Sequence, residues 1–388
     1  MALLEHMRVL LSLNILSIHV NCHSLLLKNQ ASPLHLSTLK DYTVLRLLED
    51  IMLSLKPYTF KSHTLKNRLV LPPMCMYQAV NGQVQAFHVV HYATRAVGGV
   101  GMIIVEATAV SPEGRITDQD LGLWDDHFIQ GHQMLTDEIH RYGAKAVIQL
   151  QHAGRKSGSC ASPHMAPSAL AYSDDYALPV ALSEDEIFTL KRNFIEAALR
   201  AEKAGYDGIE LHAAHGYLLH EFLSPLSNHR EDNYGGSLDK RARLIRELIT
   251  EIRQALNPHT WLQIRISASD YDPKGLNPQD LIKILMPVKQ DLEFVHVSSG
   301  GNVSRPIELK TGYQVEFSLS LKKGLNIPTI AVGLITQAED IEAILMEEKA
   351  DLVAMGRELL RNPYYVNDLY ASLGQIDDLP ISYHRAYK

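Results

Sequence analysis

Residues 329–361 read TIAVGLITQAEDIEAILMEEKADLVAMGRELLR, and the fold class turns on them. Thr329–Val332 and Asp351–Met355 are short aliphatic runs, each closed by a glycine, Gly333 and Gly356. Between them Ala338–Glu347 spaces its apolar residues for one face of a helix, so the stretch reads strand, helix, strand. Two strands joined through a helix lie parallel, because the chain must recross the sheet before adding its neighbour. Upstream, the same kind of run recurs at Arg68–Leu71, Met102–Ala107, Lys145–Leu150, Gly208–His212, Trp261–Ile266 and Phe294–Ser298, which brings the total to eight. Helical stretches are expected at Asp126–Tyr142, Glu184–Ala204, Leu238–Ala255 and Pro278–Lys289, the second opened by a Ser183/Glu186 capping box. Eight strand–helix units favour a closed (β/α)8 TIM barrel of the α/β class, forming a single domain over residues 52–388.

The chain has 388 residues, 46% of them hydrophobic and 21% charged, enough apolar material for a large core. Its formal net charge of −7, with no long basic run, argues against nucleic acid as a partner. No apolar run is long enough to span a membrane. Cys22, Cys75 and Cys160 form no CxxC pair, which speaks against a disulfide framework, a zinc knuckle or an iron–sulfur cluster and fits a reducing cytoplasm. Val9–Val20 has the length of a signal-peptide apolar region, yet Asn14 interrupts it and no small-x-small cleavage site follows. Residues 1–51 are therefore expected to be an N-terminal extension, either disordered or translated from a misplaced start.

Active sites of such barrels sit at the carboxyl ends of the strands. There this sequence places Pro72, Pro73, Met74 and Cys75, then Glu106 and Ala107, then Gln149, then HAAHGY (212–217), Arg265, Ser298–Gly301, Gly333, and Gly356 with Arg357. The connections Gln151–Leu182 and Ala213–Ser237 far exceed ordinary loop lengths, as functional loops often do. Gly333, Gly356 and Arg357 suit a phosphate, with glycine needed only for turn geometry as the alternative. HAAHGY admits three readings. It is a metal site completed by His220 or Glu221, or a hydrogen-bonded loop, or a pair of imidazole donors that polarise an oxygen while the Tyr217 phenol delivers a proton. Arg265, buried on a strand, needs an anion or an electron-rich carbonyl, which a flavin ring edge supplies; Gln149 could bond the same edge. No GxGxxG follows a strand and opens a helix, so a Rossmann-type nicotinamide site is not expected.

LPPMCMY, VEATAVSPEGRITDQDLGLW, IQLQHAGRK, GIELHAAHGYLLHEFLSPLSNHREDNYGGS, RISASDY, VSSGG, AVGLIT and GRELLRNP together resemble, in order and spacing, the old yellow enzyme family of FMN-dependent ene-reductases. The likeness is to its bacterial-type NADPH dehydrogenase branch, which carries a cysteine near the flavin. It implies non-covalent FMN held by Pro72, Pro73, Met74, Cys75, Ala107, Gln149, Arg265, Gly333, Gly356 and Arg357. It also implies His212 and His215 as the pair that binds the substrate's activating oxygen, Tyr77 closing over the substrate, and Tyr217 as proton donor. Arg385 in the C-terminal SYHRAYK would reach a neighbouring subunit's site, making the protein a homodimer or homotetramer. Pro72 stands where the family commonly has a small polar residue.

The implied activity is hydride transfer from NADPH through FMN to an activated alkene such as an enone, enal, maleimide or nitroalkene. A flavin-free barrel lyase or isomerase acting on a phosphorylated substrate and a non-catalytic FMN-binding protein are the rival readings, which a yellow or colourless protein and NADPH turnover would separate.

Overall fold

A computed structural model describes residues 52–387, so the extension expected over residues 1–51 lies outside the described residues. The eight expected strands are present as β1 (Leu69–Leu71), β2 (Met102–Ala109), β3 (Lys145–Gln151), β4 (Gly208–Ala213), β5 (Trp261–Ser267), β6 (Phe294–Ser298), β7 (Thr329–Ala331) and β8 (Leu352–Ala354). All pair parallel in chain order, and β8 closes on β1 through Val353 opposite Leu69. The helices that flank them include α1 (Ala86–Val97), α2 (Ile129–Arg141), α3 (Glu184–Lys203), α4 (Arg243–Ala255), α5 (Pro278–Leu285), α6 (Val315–Leu325), α7 (Ala338–Met346) and α8 (Gly356–Arg361). The strands are buried on both faces, which is why they read as continuous apolar runs rather than alternating ones.

The expected capping box is formed, Ser183 accepting from the Glu186 amide and Glu186 from that of Ser183. The helix expected over Leu238–Ala255 is instead two, Leu238–Arg241 and α4, meeting at Ala242. The one expected to reach Lys289 leaves α-geometry at Leu285 because Pro287 has no N–H to offer Lys283. Arg246 takes up the freed carbonyls of Lys283 (3.1 Å) and Ile284 (2.9 Å).

A hairpin, Tyr58–Phe60 with His63–Leu65, closes the amino-terminal end of the barrel. The Phe60 ring meets Trp261 (5.2 Å) and Phe294 (4.6 Å) edge to face, and those two residues begin β5 and β6. Above that apolar floor the interior turns polar. Glu210, with no exposed surface, accepts from Gln149 Nε2 (2.8 Å), Gln263 Nε2 (2.7 Å) and His296 Nδ1 (3.0 Å). Near the mouth, β2 and β3 change register between Val105 and Thr108, leaving Glu106 and Ala107 outside the ladder. Such a bulge re-aims side chains beside a site.

Candidate active site

The carboxyl ends of the strands surround a cavity of about 240 Å³, lined among others by Pro72, Pro73, Met74, His215, Arg265, Ser298, Gln314, Gly333, Gly356 and Arg357. Nine of the residues that the sequence places at the strand ends thus meet in one cavity. Arg265 on β5 has His212 and His296 as its neighbours in register on β4 and β6. It is 8% exposed, and among the described residues its Nε has no partner and its one side-chain hydrogen bond, to the Pro73 carbonyl, is 3.4 Å long. A buried guanidinium so poorly satisfied awaits an acceptor in the cavity. Its countercharge lies below: His296 and Arg265 outweigh the effect of burial on Glu210 and hold that carboxyl below the usual range, hence ionised.

His212 and His215 meet edge to face with ring centroids 5.2 Å apart, and Tyr217 lies 5.0 Å from His212. The turn that gathers them is held from several sides. His215 adopts φ +59°, its N–H donates to Ser267 Oγ (2.9 Å), and the Gly216 N–H donates to His220 Nδ1 (3.0 Å). Gly216 itself has φ +73°, and a Cβ there would stand 2.2 Å from the Gly301 carbonyl oxygen, so only glycine fits. His220 Nε2 in turn pairs with Asp270 (3.0 Å), both fully buried. Glu221 accepts the Arg155 N–H. The two residues a metal reading would have recruited are thus engaged elsewhere, and no cluster of three or more potential ligands occurs among the described residues.

Burial first, and then the nearby Arg265 charge, push both imidazoles well below the ordinary histidine range, so both are neutral. Their tautomers follow from the hydrogen bonds. His212 Nδ1 accepts the Ala214 N–H (3.3 Å), which puts the proton on Nε2. Gln314 Nε2 donates to the Val332 carbonyl, so its Oε1 accepts from Ser298 and Ser299, and the Ser298 hydroxyl is left to accept from His215 Nε2 (2.7 Å). Both rings are therefore Nε2–H donors. Burial also raises the Tyr217 phenol, which stays protonated.

Cys75 follows the Pro72–Met74 wall; burial, Asp120 and Glu106 push its thiol up, while the Ala107 N–H bonds to it. Glu106 anchors the same loop by accepting the Met76 N–H (3.2 Å) and the Tyr92 hydroxyl (2.9 Å). Tyr77 is 47% exposed at the rim, with φ +54°. Gln149 sits one layer down, bound to Glu210, and does not line the cavity. Arg385 is exposed in the final turn and does not line it either. Sequence reasoning placed Ser298 at the rim but missed Glu210 and Gln314. An acid inside GIELH was the legible signal for Glu210, since a charge on a doubly buried strand demands partners. Nothing in the sequence marked Gln314.

A barrel whose mouth joins a poorly satisfied buried guanidinium to glycine-lined walls and a neutral donor pair is a cofactor-binding enzyme. The residues fit a flavin mononucleotide: Arg265 faces the cavity, and Gly356 leaves open a space in which a Cβ would lie 3.2 Å from Met74 Sδ, beside Arg357. Comparison with known proteins makes the assignment. The profile of the NADH:flavin oxidoreductase / NADH oxidase family matches residues 55–374. The chain is 48% identical over 333 residues to an NADPH dehydrogenase of Clostridium acetobutylicum, covering 85% of this chain and 98% of that protein. The old yellow enzyme homologue of Zymomonas mobilis superposes with a TM-score of 0.71 at 27% identity over 82% of this chain and 92% of that one. A 2-naphthoyl-CoA reductase shares the fold with a TM-score of 0.78 at 23% identity, over 83% of this chain. The chain spans about half the length of that reductase, matching 52% of it. This chain belongs to the NADH:flavin oxidoreductase / NADH oxidase family and is of the old yellow enzyme type. It is an FMN-dependent oxidoreductase that uses a reduced nicotinamide.

Proposed function

We propose that this enzyme is an NADPH dehydrogenase that reduces the C=C bond of activated alkenes: enones, enals, maleimides or nitroalkenes. The observation that carries the reading is the convergence, ring against ring at the end of β4, of two neutral Nε2–H donors, His212 and His215, with the protonated phenol of Tyr217, His215 forming part of the cavity wall. FMN, when bound, supplies the two-electron carrier that accepts hydride from NADPH and yields it to the alkene. His212 and His215, the latter turning its Nε2–H from Ser298 to the substrate, bind the substrate's carbonyl or nitro oxygen and stabilise the negative charge that gathers there, a donor effect worth about 2.7–4 kcal/mol each in comparable sites. Because both rings are neutral, they donate hydrogen bonds without surrendering a proton to that oxygen. Tyr217 instead delivers its proton to the α-carbon. Arg265 would offer its unused donors to the flavin ring, beside Pro72, Pro73, Met74, Cys75 and Ala107, with Gln149 one layer beneath, while Gly333, Gly356 and Arg357 would hold the phosphate. Tyr77 closes over the substrate.

The unpaired Cys75 and Cys160 support a reducing cytoplasm as the working compartment, and among the described residues no helix is long and apolar enough to cross a membrane. The exposed Arg385 supports a homodimer or homotetramer in which it enters a neighbouring site. NADPH consumption with 2-cyclohexenone, N-methylmaleimide and a nitrostyrene, with product analysis, tests the proposal. Saturated ketone, succinimide and nitroalkane are expected; an allylic alcohol, or turnover with none of the three, would overturn it.

A further inference from the structure

HAGRK (152–156) follows β3, and its lysine has no part in the reading above. Lys156 is half-buried, and its Nζ donates to the carbonyls of His215 (2.9 Å) and Gly301 (3.2 Å). The same ammonium lies 4.6 Å from the centroid of the Tyr172 ring and 5.2 Å from that of Tyr217. It therefore touches the backbone of one oxygen-binding residue and the ring of the proton donor at once. After burial, the neighbours that shift Tyr217 most, Cys75, Tyr77, Asp120 and Tyr176, all make a tyrosinate harder to form. Arg265 also lies within electrostatic reach, but Pro73 and Glu210 engage it.

We propose that Lys156 is a positioning residue for Tyr217, fixing the phenol in the site and offsetting the negative charge left on its oxygen once the proton has passed to the alkene. A cation held over an aromatic face is favourable before the transfer, and the charge that develops afterwards strengthens the attraction. The O–H bond of Tyr217 breaks as the C–H bond at the α-carbon forms, and water reprotonates the tyrosinate between turnovers. The inference rests on the ene-reductase reading. Burial lowers the Lys156 ammonium to about 8, with Glu221 opposing and Arg155 reinforcing the shift, so the cation is present at neutral pH and is lost in mild alkali.

Stopped-flow kinetics on the anaerobic holoenzyme tests it through three rates: flavin reduction by NADPH, reoxidation by 2-cyclohexenone, and reoxidation by a benzoquinone, whose protons go to oxygen and exchange with water. In Lys156→Met the enone rate should fall about 10- to 100-fold with a larger solvent isotope effect, while the other two change by less than about threefold. Lys156→Arg should keep most of the enone rate and shift its alkaline limb upward, since arginine stays charged. An unchanged enone rate in Lys156→Met, or equal slowing of all three, overturns the inference. Should Lys156→Met lose FMN, an unmoved alkaline limb in Lys156→Arg overturns it. Wild-type enzyme that passes electrons to the quinone but never to the enone would instead refute the ene-reductase reading and the inference with it.

Discussion

Replacing Glu210 by glutamine tests whether the polar layer under the cavity is the countercharge of Arg265. Glu210 is fully buried and accepts from three donors, Gln149, Gln263 and His296. A glutamine keeps one acceptor oxygen but turns an N–H toward a donor, so at least one bond is lost and the Arg265 cation is left uncompensated. Each hydrogen bond to a charged group contributes about 1.5–3 kcal/mol, and breaking a buried charge pair costs about 3–5 kcal/mol. These overlap, so the larger range is the expectation. At about 2.1 cal/mol/K of unfolding entropy per residue, a domain of this size loses roughly 4–7 °C in Tm. The pH dependence has a definite sign. The folded-state carboxyl lies below its unfolded value, so its contribution is full above the ordinary glutamate range and disappears as pH falls through the folded-state value. Glu210→Gln should therefore trail wild type most at neutral pH and converge with it in acid. Thermal unfolding followed by circular dichroism, with flavin content measured in parallel, reads both. A neutral-pH loss below about 1 kcal/mol, or one independent of pH, would refute the reasoning.

Tyr217→Phe should leave flavin reduction by NADPH nearly intact and slow the alkene half-reaction by up to about 10²–10⁴-fold, as two-phase stopped-flow traces would show. His212→Ala and His215→Ala should each cost about 2.7–4 kcal/mol in kcat/KM for enones, and stoichiometric zinc with EDTA-sensitive activity would return the site to the metal reading. If Arg385 enters a neighbouring site, mixing inactive Tyr217→Phe and Arg385→Ala chains should restore activity by giving mixed dimers one intact site; confirmed mixed dimers without recovery would leave Arg385 a surface residue. A chain beginning at Met52 should fold, bind FMN and turn over, with circular dichroism, flavin content and NADPH consumption as checks.

The strands were legible because burial on both faces leaves uninterrupted aliphatic runs, and the cavity because parallel strands deliver their last residues to one rim. The flanking helices α1 and α6 escaped notice, α1 because two histidines sit on its buried face and α6 because Ser318 and Gly324 interrupt its apolar spacing. The inward face of α1 is His88, His91, Tyr92 and Ala96, and its cap pairs Gln85 with His88 instead of the usual Ser/Thr and Glu. In α6, Ser318 is buried and bonds Thr329 Oγ1 (2.9 Å). The trio proposed for catalysis, His212, His215 and Tyr217, lies within one six-residue segment and could be picked out from the sequence. Its supports could not, because Ser267 and Asp270 lie more than fifty residues downstream, on or just beyond β5, and Gln314 comes from the loop after β6. Only the closed barrel brings them to the turn.

The site chemistry is tested most directly by where the two hydrogens of one product come from. NADPH deuterated at the transferable position, with 2-cyclohexenone in ordinary water, should place deuterium on the β-carbon of cyclohexanone; unlabelled NADPH in deuterium oxide should label the α-carbon through Tyr217. NMR assignment of each label decides the matter. Nicotinamide deuterium at the carbonyl carbon, or solvent deuterium at the β-carbon, would contradict the roles given to His212, His215 and Tyr217.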